Sequence, residues 1–198
     1  MHPAIAALAL CLAAVPALAK SKDSLTVNLK TATGADAGTA TFTEAKNGKK
    51  LTVKVSLKNL PVGQHAVHIH AKSLCEAPDF KTAGGHFNPD AKQHGSMNPM
   101  GHHNGDFPQN IMIGEGHVGE ATFKVDYLSL DPKSPNSIVA NGGTAIMVHE
   151  KADDMKTDPT GNAGNRIACG VINAPTPKPN RCNRTLSCSL NSGERPCV

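Results

Sequence analysis

The chain has 198 residues, enough for one medium-sized domain with a substantial core. Its formal net charge is +4, and most of this excess lies after Pro175, so the body lacks the basic stripe that nucleic-acid binding requires. The absence of Trp and the single Tyr also argue against base-stacking surfaces. The composition therefore indicates a globular protein with no nucleic-acid partner.

The N-terminal segment is apolar and uncharged over residues 4–19, and it ends in the small-x-small pattern Ala17-Leu18-Ala19. A membrane-spanning helix needs about 20 apolar residues, which this run does not reach. We therefore predict a cleaved signal peptide at residues 1–19, a periplasmic or secreted location, and no stable membrane insertion. Export would allow disulfides to form among the five cysteines that remain.

The body alternates apolar and polar residues with a period of two, most clearly over residues 50–60, where Leu51, Val53, Val55 and Leu57 share one face. Asn47-Gly48 precedes this segment and predicts a hairpin turn. No segment has a convincing helical period, so we predict an all-β antiparallel sandwich or barrel. The predicted strands are residues 24–31, 38–46, 50–60, 65–71, 110–114, 119–128, 144–149 and 166–172.

Two long segments without strand patterns, residues 72–108 and 150–165, interrupt this series. Loops of that length are usually functional or disordered, and the histidines of the first favour function. After the predicted domain at 20–173 comes a tail at 174–198, Pro-rich at first and then containing three cysteines. The tail has too few apolar residues for its own core, and we expect it to be disordered.

Histidines are concentrated in the stretch "HAVHIHA" at residues 65–71. His68 and His70 are two apart on a predicted strand, so their rings share a face and suit a metal ion; a hydrogen-bonded structural pair is the alternative. His65 points to the opposite face and is interpreted as structural. Further candidate ligands of the type that zinc accepts follow downstream, namely His86, His94, His102, His103 and Asp106 in the first loop and His149 at a strand end.

Five motifs follow one another between Gly63 and Ile172: "HIH", "GGHFNP", "HHNGD", "MVHEKADD" and "GNAGNRIACGVI". A further histidine lies eight residues after the histidine of "GGHFNP". In this order and spacing the motifs closely resemble those of exported bacterial copper–zinc superoxide dismutases. The resemblance implies a flattened antiparallel Greek-key β-barrel of eight strands, with the metals outside the wall under the two long loops. It also implies disproportionation of superoxide to dioxygen and hydrogen peroxide.

The resemblance further implies one copper and one zinc ion per subunit and assigns individual residues. Copper would be held by His68, His70, His86 and His149, and zinc by His86, His94, His103 and Asp106, with His86 bridging the two ions. Asp153 would link a ligand of each metal, Arg166 would guide the anion, and Cys75 and Cys169 would form a disulfide. Lys151 or Lys156 is a further candidate for steering superoxide, unless these lysines are ordinary solvated residues.

Two other functions stay open from the sequence, a copper-binding or buffering protein and an inactive relative on the same fold. A copper chaperone would be expected to carry a separate C-x-x-C domain, and an inactive relative to lack a copper histidine or the arginine. This chain has no such domain and lacks neither residue. The sequence does not decide between a monomer and a homodimer.

Three features lie outside the resemblance. Met97, Met100 and His102 stand among the predicted zinc ligands, where thioethers suit Cu(I), although an ordinary surface loop is the favoured interpretation. Spacing favours His103 over His102 as the ligand. His117 lies in a Gly-rich turn and is predicted to be exposed and inert. The tail after Pro175 is the third feature, and no role is predicted for it.

Overall fold

The computed structural model describes residues 24–46 and 48–173. The predicted signal peptide at 1–19 and the tail at 174–198 lie outside the described residues, as does Asn47 of the predicted turn. What was inferred for those segments therefore stays a prediction. Within the described residues no helix is long and apolar enough to cross a membrane.

The described part of the chain forms nine antiparallel strands and one short 3-10 turn at Lys81–Ala83. The two long segments predicted as loops contain no strand among these nine, in agreement with the sequence. The strands are β1 (Ser24–Thr31), β2 (Asp36–Glu44), β3 (Leu51–Lys58), β4 (Gly63–His65), β5 (Val67–His70), β6 (Ile111–Ile113), β7 (Val118–Val125), β8 (Thr144–His149) and β9 (Arg166–Ile172).

The ninth strand arises because the predicted strand 65–71 is divided at Ala66. β4 pairs with β6, whereas β5 pairs with β8. Between them, Ala66 N donates to Lys151 O and Ala66 O accepts from His149 N, both at 2.8–2.9 Å. The chain therefore changes pairing partners at Ala66, a change that leaves no mark on the hydrophobic period.

The main sheet has the order β5-β8-β9-β1-β2-β3-β7, and β4 and β6 form a second, two-stranded sheet. A tight turn joins β6 to β7, in which Gly114 N donates to Val118 O at 3.1 Å. Since β4 runs directly into β5, the small sheet closes the gap between the two edges of the large one. The predicted Greek-key barrel is confirmed.

The core fills the inside of this barrel, as the alternation predicted. In β3 the buried residues are Leu51, Val53, Val55 and Leu57, and the residues between them are partly or fully exposed. Phe107 and Phe123 stack in the same core with ring centroids 4.4 Å apart. Burial of each such large side chain contributes about 1.5–3 kcal/mol to folding.

β8 is buried on both faces, which explains its unbroken apolar sequence. Ile146 and Val148 belong to the main core, whereas Ala145 and Met147 lie in a second cluster with Phe80. Because Phe80 comes from the first long loop, that loop covers the outer face of the barrel at β8. His68 and His70 of the neighbouring strand β5 lie on the same outer face.

Candidate metal centre

The strand β5 presents one face to the core and the other to the long loops. Val67 and Ile69 belong to the main core cluster. His68 and His70 alternate with them and lie opposite Met147 and Ala145 of β8, which are outward-facing. All four residues of β5 are nevertheless buried, because the loops cover the histidine face.

The first loop returns along the free edge of β5 and brings its ligands to that face. Ile69 N donates to Gly105 O, and Phe87 N donates to Ile69 O, each at 2.8 Å. These bonds place His86 opposite His70 and Asp106 opposite His68. The position of two loop residues is thus set by backbone pairing with the barrel wall.

One group of four buried histidines has ring nitrogens within 4.8 Å of one another: His68, His70, His86 and His149. His70 Nε2 lies 3.3 Å from His149 Nε2. His68 Nδ1 and His86 Nε2 are buried without a hydrogen-bond partner. These are the four residues predicted to hold copper, and the structure brings them together.

The outer nitrogens of three of these rings contact oxygen atoms that only accept hydrogen bonds. His68 Nε2 donates to Asp153 Oδ2 at 2.8 Å, His70 Nδ1 to Gly84 O at 2.9 Å, and His149 Nδ1 to Gly164 O at 3.4 Å. A neutral imidazole that donates from one nitrogen carries its lone pair on the other. The three lone pairs therefore face the interior of the group, as in protein metal sites.

A second group surrounds one carboxylate oxygen, Asp106 Oδ1. This atom lies 2.9 Å from His86 Nδ1, 3.0 Å from His94 Nδ1 and 3.4 Å from His103 Nδ1. Ligands at about 2.0–2.1 Å from a tetrahedral zinc ion are separated by about 3.3 Å. The four residues predicted to hold zinc are therefore also brought together, with His86 shared by both groups.

One group of ligand atoms that lie within 4.8 Å of one another around Asp106 includes His68 instead of His103. His68 has no nitrogen left for this second group, however, because its Nε2 is bonded to Asp153 and its Nδ1 faces the first group. His103 Nδ1 lies 3.3 Å from His86 Nδ1 and is close to Asp106 as well. The geometry accordingly favours His103 as the fourth member.

The carboxylate of Asp153 links the two groups. Its Oδ2 accepts from His68 and its Oδ1 accepts from His94 Nε2 at 2.9 Å. Gly161 packs directly against this carboxylate, at a distance that excludes any side chain. Sequence reasoning missed Gly161 and the Gly84 carbonyl, since neither a glycine nor a backbone oxygen gives a recognisable signal.

The electrostatics of the centre favour ionised carboxylates and, at His86 and His149, neutral rings. Burial lowers the pKa of His86 to about 3 and that of His149 to about 2, in both cases helped by neighbouring histidines. Burial would raise the pKa of Asp106, but hydrogen bonds from three histidines hold it well below its usual range. Burial opposes protonation of His94 too, yet its bonds to Asp106 and Asp153 raise its pKa to about 9.

Arg166 begins β9 and is the cross-strand neighbour of His149. Its guanidinium donates at 2.6 Å to two loop carbonyls, Phe80 O and Gly84 O. The side chain is partly exposed in a depression that Asp79 and Lys81 also line. Burial lowers the pKa of Arg166, the carboxylate of Asp79 opposes this, and the group stays charged.

Among the described residues, three histidines lie outside both groups. His65 is buried, and its ring nitrogens contact His149 O and Pro61 O at 2.8 and 2.9 Å, which agrees with a structural role. His102 packs on Tyr127, away from the four atoms around Asp106. His117 is exposed as predicted, but it is not without contacts, since its Nδ1 donates to Leu60 O at 2.9 Å.

The disulfide between Cys75 and Cys169 is present, with a sequence separation of 94 residues. It ties the first loop to β9, shortly before the loop carbonyls that hold Arg166.

Together, the barrel and the two histidine groups on its outer wall define a class of β-barrel metalloprotein that can hold two ions joined by one imidazole. His68 Nδ1 and His86 Nε2, which are buried without a hydrogen-bond partner, and His94 Nδ1, which faces Asp106 Oδ1, fit such ions.

Comparison with known proteins agrees with this class. The profile of the family described as copper/zinc superoxide dismutase (SODC) matches residues 36–172. A superoxide dismutase [Cu-Zn] of Aquifex aeolicus is 43% identical over 136 residues, covering 68% of this chain and 78% of the relative. One of Caulobacter vibrioides is 42% identical over 151 residues, covering 75% and 85% respectively.

Among solved structures, a superoxide dismutase-like protein from Bacillus subtilis superposes with a TM-score of 0.70 at 38% identity, over 74% of this chain and 97% of that one. A double mutant of that protein gives a TM-score of 0.71 at 39% identity, over 75% and 96%. The chain belongs to the copper/zinc superoxide dismutase family. Its function is that of the family, an oxidoreductase acting on superoxide with copper and zinc as cofactors, and the copper-buffering alternative is not favoured.

Proposed function

We propose that this chain disproportionates superoxide at a copper ion held by His68, His70, His86 and His149. Zinc is held beside it by the four residues predicted from the sequence, which are His86, His94, His103 and Asp106. The single observation that carries this assignment is the convergence of inward-facing ring nitrogens whose outer nitrogens are fixed by oxygen acceptors. Copper needs ligands that serve both of its oxidation states, and imidazole does so.

The chemistry that copper supplies when bound is a one-electron exchange, by which one superoxide is oxidised to dioxygen and a second, with two protons, is reduced to hydrogen peroxide. His86 faces both groups, with Nδ1 toward Asp106 and Nε2 toward His70 and His149. Its Nε2 has no hydrogen-bond partner, so this atom can hold a proton between the two half-reactions. With zinc bound, His86 Nδ1 and Asp106 would both be ligands of that ion, so the ring would stay in position while Nε2 holds the proton.

Arg166 is proposed to attract and orient the anion. Two of its N–H groups hold Phe80 O and Gly84 O, which fixes the guanidinium beside His149. Its remaining N–H groups have no acceptor among the described residues and can face superoxide. A fixed cation in a depression raises the local anion concentration and hence the rate of encounter, an effect for which superoxide dismutases are themselves a standard example.

The test is to measure copper content, zinc content and superoxide removal in the mature protein and in His149→Ala. We expect the variant to lose copper and at least about 100-fold in activity, because one of the imidazole ligands is missing. Zinc content should change little, since His149 has no contact with Asp106. Full activity in His149→Ala would overturn the copper assignment.

A matched control removes a histidine that lies outside both groups. His117→Asn keeps a residue type that tolerates the positive φ of 57° at this exposed position. Its metal content and activity should equal those of the parent. Loss of copper in this control would show that the metals bind at other histidines.

We propose also that the chain is exported and that residues 1–19 are removed, as the apolar segment predicts. The Cys75–Cys169 disulfide supports this, since such bonds persist in oxidising compartments. The intact mass of the protein from a periplasmic or culture fraction should correspond to a chain that begins at Lys20. Recovery of the full-length chain from the cytosolic fraction alone would contradict the proposal.

For the oligomeric state we propose a homodimer. Val62, Met112 and Val118 support it, since they are 46–58% exposed and lie together around β4, β6 and the start of β7. Sedimentation should show a dimer that Met112→Lys converts to a monomer, because a charge would be buried in the contact. A parent protein that stays monomeric at high concentration would exclude it.

A further inference from the structure

Two methionines near the metal centre take no part in either histidine group. Met97 and Met100 are 69% and 66% exposed, more than any other large apolar side chain among the described residues. Both belong to the turn at residues 95–101, inside the loop that carries the zinc group. Single exposed apolar residues are common, but a thioether is also a soft ligand that binds Cu(I).

The turn that carries them is held in shape by hydrogen bonds of Asn98. Asn98 donates through Nδ2 to Gln93 Oε1 and Lys156 O at 3.2–3.3 Å, and its Oδ1 accepts from Met100 N at 2.9 Å. Gly101 N donates to Asn98 O at 2.9 Å. Asn98 thus fixes the shape of the turn, and the two methionine side chains project from it into solvent.

The turn also lies directly against the second loop and the metal centre. Met97 N donates to Met155 O at 2.9 Å, and Gly95 has φ +99° and no room for a Cβ beside that same oxygen. Gly95 N donates to Asp106 Oδ2 at 2.9 Å, and Met155 N donates to Asp153 Oδ1 at 2.6 Å. The methionine surface is therefore attached to the two carboxylates that organise the buried histidines.

A third candidate ligand, His102, follows Met100 by two residues in the chain. His102 Nδ1 lies 2.7 Å from His103 O, and because a carbonyl only accepts, Nδ1 carries the hydrogen. The lone pair of the ring is then on Nε2, which has no hydrogen-bond partner among the described residues. Packing on Tyr127, with ring centroids 4.3 Å apart, holds the ring in place.

We propose that Met97, Met100 and His102 bind Cu(I) at the surface and pass it to the buried histidine group. Two thioethers and one imidazole favour Cu(I) and disfavour Zn(II), whose usual ligands are thiolate, imidazole and carboxylate. The surface site therefore admits copper to a centre where zinc could compete for the same histidines. The destination of the ion rests on the proposed copper site, whereas the surface binding does not.

The binding is tested with Ag(I), a redox-inert probe with the softness of Cu(I). The free thiols of the mature protein are first blocked with iodoacetamide. The protein is then loaded with copper and zinc, and ascorbate reduces the copper to diamagnetic Cu(I). We expect the ¹³C-methyl signals of Met97 and Met100 and the Nε2 signal of His102 to shift on titration. The titration is made at a protein concentration at which the chain is monomeric, so that Met112 on β6, 57% exposed in the single chain, provides the internal control. Equal shifts at all three methionines would overturn the proposal.

The transfer is tested by loading kinetics. Zinc-loaded, copper-free protein is mixed anaerobically with limiting Cu(I) bicinchoninate, and copper uptake is followed. The variant M97L/M100L keeps two apolar side chains of similar volume, and it should load about tenfold more slowly yet reach the parent copper content and activity. M112L is the matched control and should load at the parent rate.

The outcomes separate this inference from the proposed function. If M97L/M100L loads as fast as the parent, the transfer is refuted even though the enzyme is active. If His149→Ala retains the Ag(I) shifts at Met97 and Met100 while losing copper, both the surface site and the buried copper site are supported. If His149→Ala retains full activity instead, the copper assignment fails, whatever the Ag(I) titration shows.

Discussion

His68 and His94 are joined through a single carboxylate, since Asp153 accepts from His68 Nε2 at 2.8 Å and from His94 Nε2 at 2.9 Å. One ring belongs to the group on the barrel wall, and the other belongs to the group in the first loop. Asp153 itself comes from the second loop and is fixed by Asn110, which donates to its backbone oxygen at 3.0 Å. The two metal groups are therefore oriented by one residue that is a member of neither.

Asp153→Asn should weaken the binding of both metals by about 10–100-fold, the usual cost of losing a partner that orients metal ligands. An amide presents one N–H₂ where a second acceptor is needed, so one of the two histidine rings loses its bond. The measurement is a competition titration with a chelator of known affinity. Asp154→Asn is the control, because this exposed neighbour bonds only within its own loop.

Unchanged affinities in Asp153→Asn, with Asp154→Asn also unchanged, would show that the rings are held by packing alone. A loss of affinity in Asp154→Asn of the same size would instead indicate a general loosening of the second loop.

Gly161→Ala should displace the carboxylate of Asp153 without removing any polar group. A Cβ at this position would lie 1.8 Å from Asp153 Oδ1 and 2.6 Å from His94 Nε2, so the carboxylate must move. Gly34→Ala is the control, since its φ of +82° is similarly unfavourable but nothing lies within 4 Å. Both variants should lose about 1–2 kcal/mol from the backbone conformation.

Metal content distinguishes the two glycine variants. Gly161→Ala should contain less zinc and copper than Gly34→Ala when both are prepared alike, as measured by elemental analysis. Equal metal content would mean that the second loop shifts as a unit and leaves the carboxylate in place.

Arg166→Gln should lower the second-order rate with superoxide by about 10–100-fold and reduce its dependence on ionic strength, because a steering charge is lost. Copper and zinc should stay bound, since Arg166 belongs to neither group of metal ligands. Pulse radiolysis at several salt concentrations measures both effects. Lys124→Gln removes the same charge from the exposed face of β7 and should leave the rate almost unchanged.

Arg166→Lys keeps the charge but lacks the fork that holds two carbonyls, and an intermediate rate is expected. If the lysine variant is as slow as Arg166→Gln, the role of Arg166 is to position the loop carbonyls and not to attract the anion.

Cys75→Ser/Cys169→Ser should lower the free energy of unfolding by about 4–5 kcal/mol, the chain-entropy value for a loop of this length. The same loop carries Phe80 O and Gly84 O, which hold Arg166 and His70, so metals should also dissociate faster. Urea denaturation and the rate of zinc transfer to a chelator measure the two effects. Coincident denaturation curves for variant and parent would contradict the prediction.

The pattern of apolar and polar residues was sufficient to predict where most strands lie. The alternation in β3 and the apolar run of β8 directly reflect which side chains are buried. The pattern could not reveal that the strand carrying "HAVHIHA" changes partners at Ala66. That break depends on two hydrogen bonds of Ala66, one donated to Lys151 O and one accepted from His149 N, both more than 80 residues away. His65, which precedes the break, contacts the carbonyl of His149 for the same reason.

The candidate ligands were visible in the sequence because histidine and aspartate at regular spacings are rare outside metal sites. The choice between His102 and His103 rested on spacing alone, and the structure supports it by placing His103 near Asp106 and His102 on Tyr127. The Gly84 carbonyl shared by His70 and Arg166 had no sequence signal, since every residue has a carbonyl.

Residue type and order were enough to predict the class of fold, and the resemblance of the motifs to a known family supplied the ligand sets and the cysteines that pair. The folded chain was needed to establish which nitrogen of each ring faces its neighbours, which groups hold the other nitrogen, and how loops from distant parts of the chain meet at Asp153 and Arg166. The physical reason is that a hydrogen bond between distant residues requires a particular backbone path. The period of the hydrophobic residues does not encode that path.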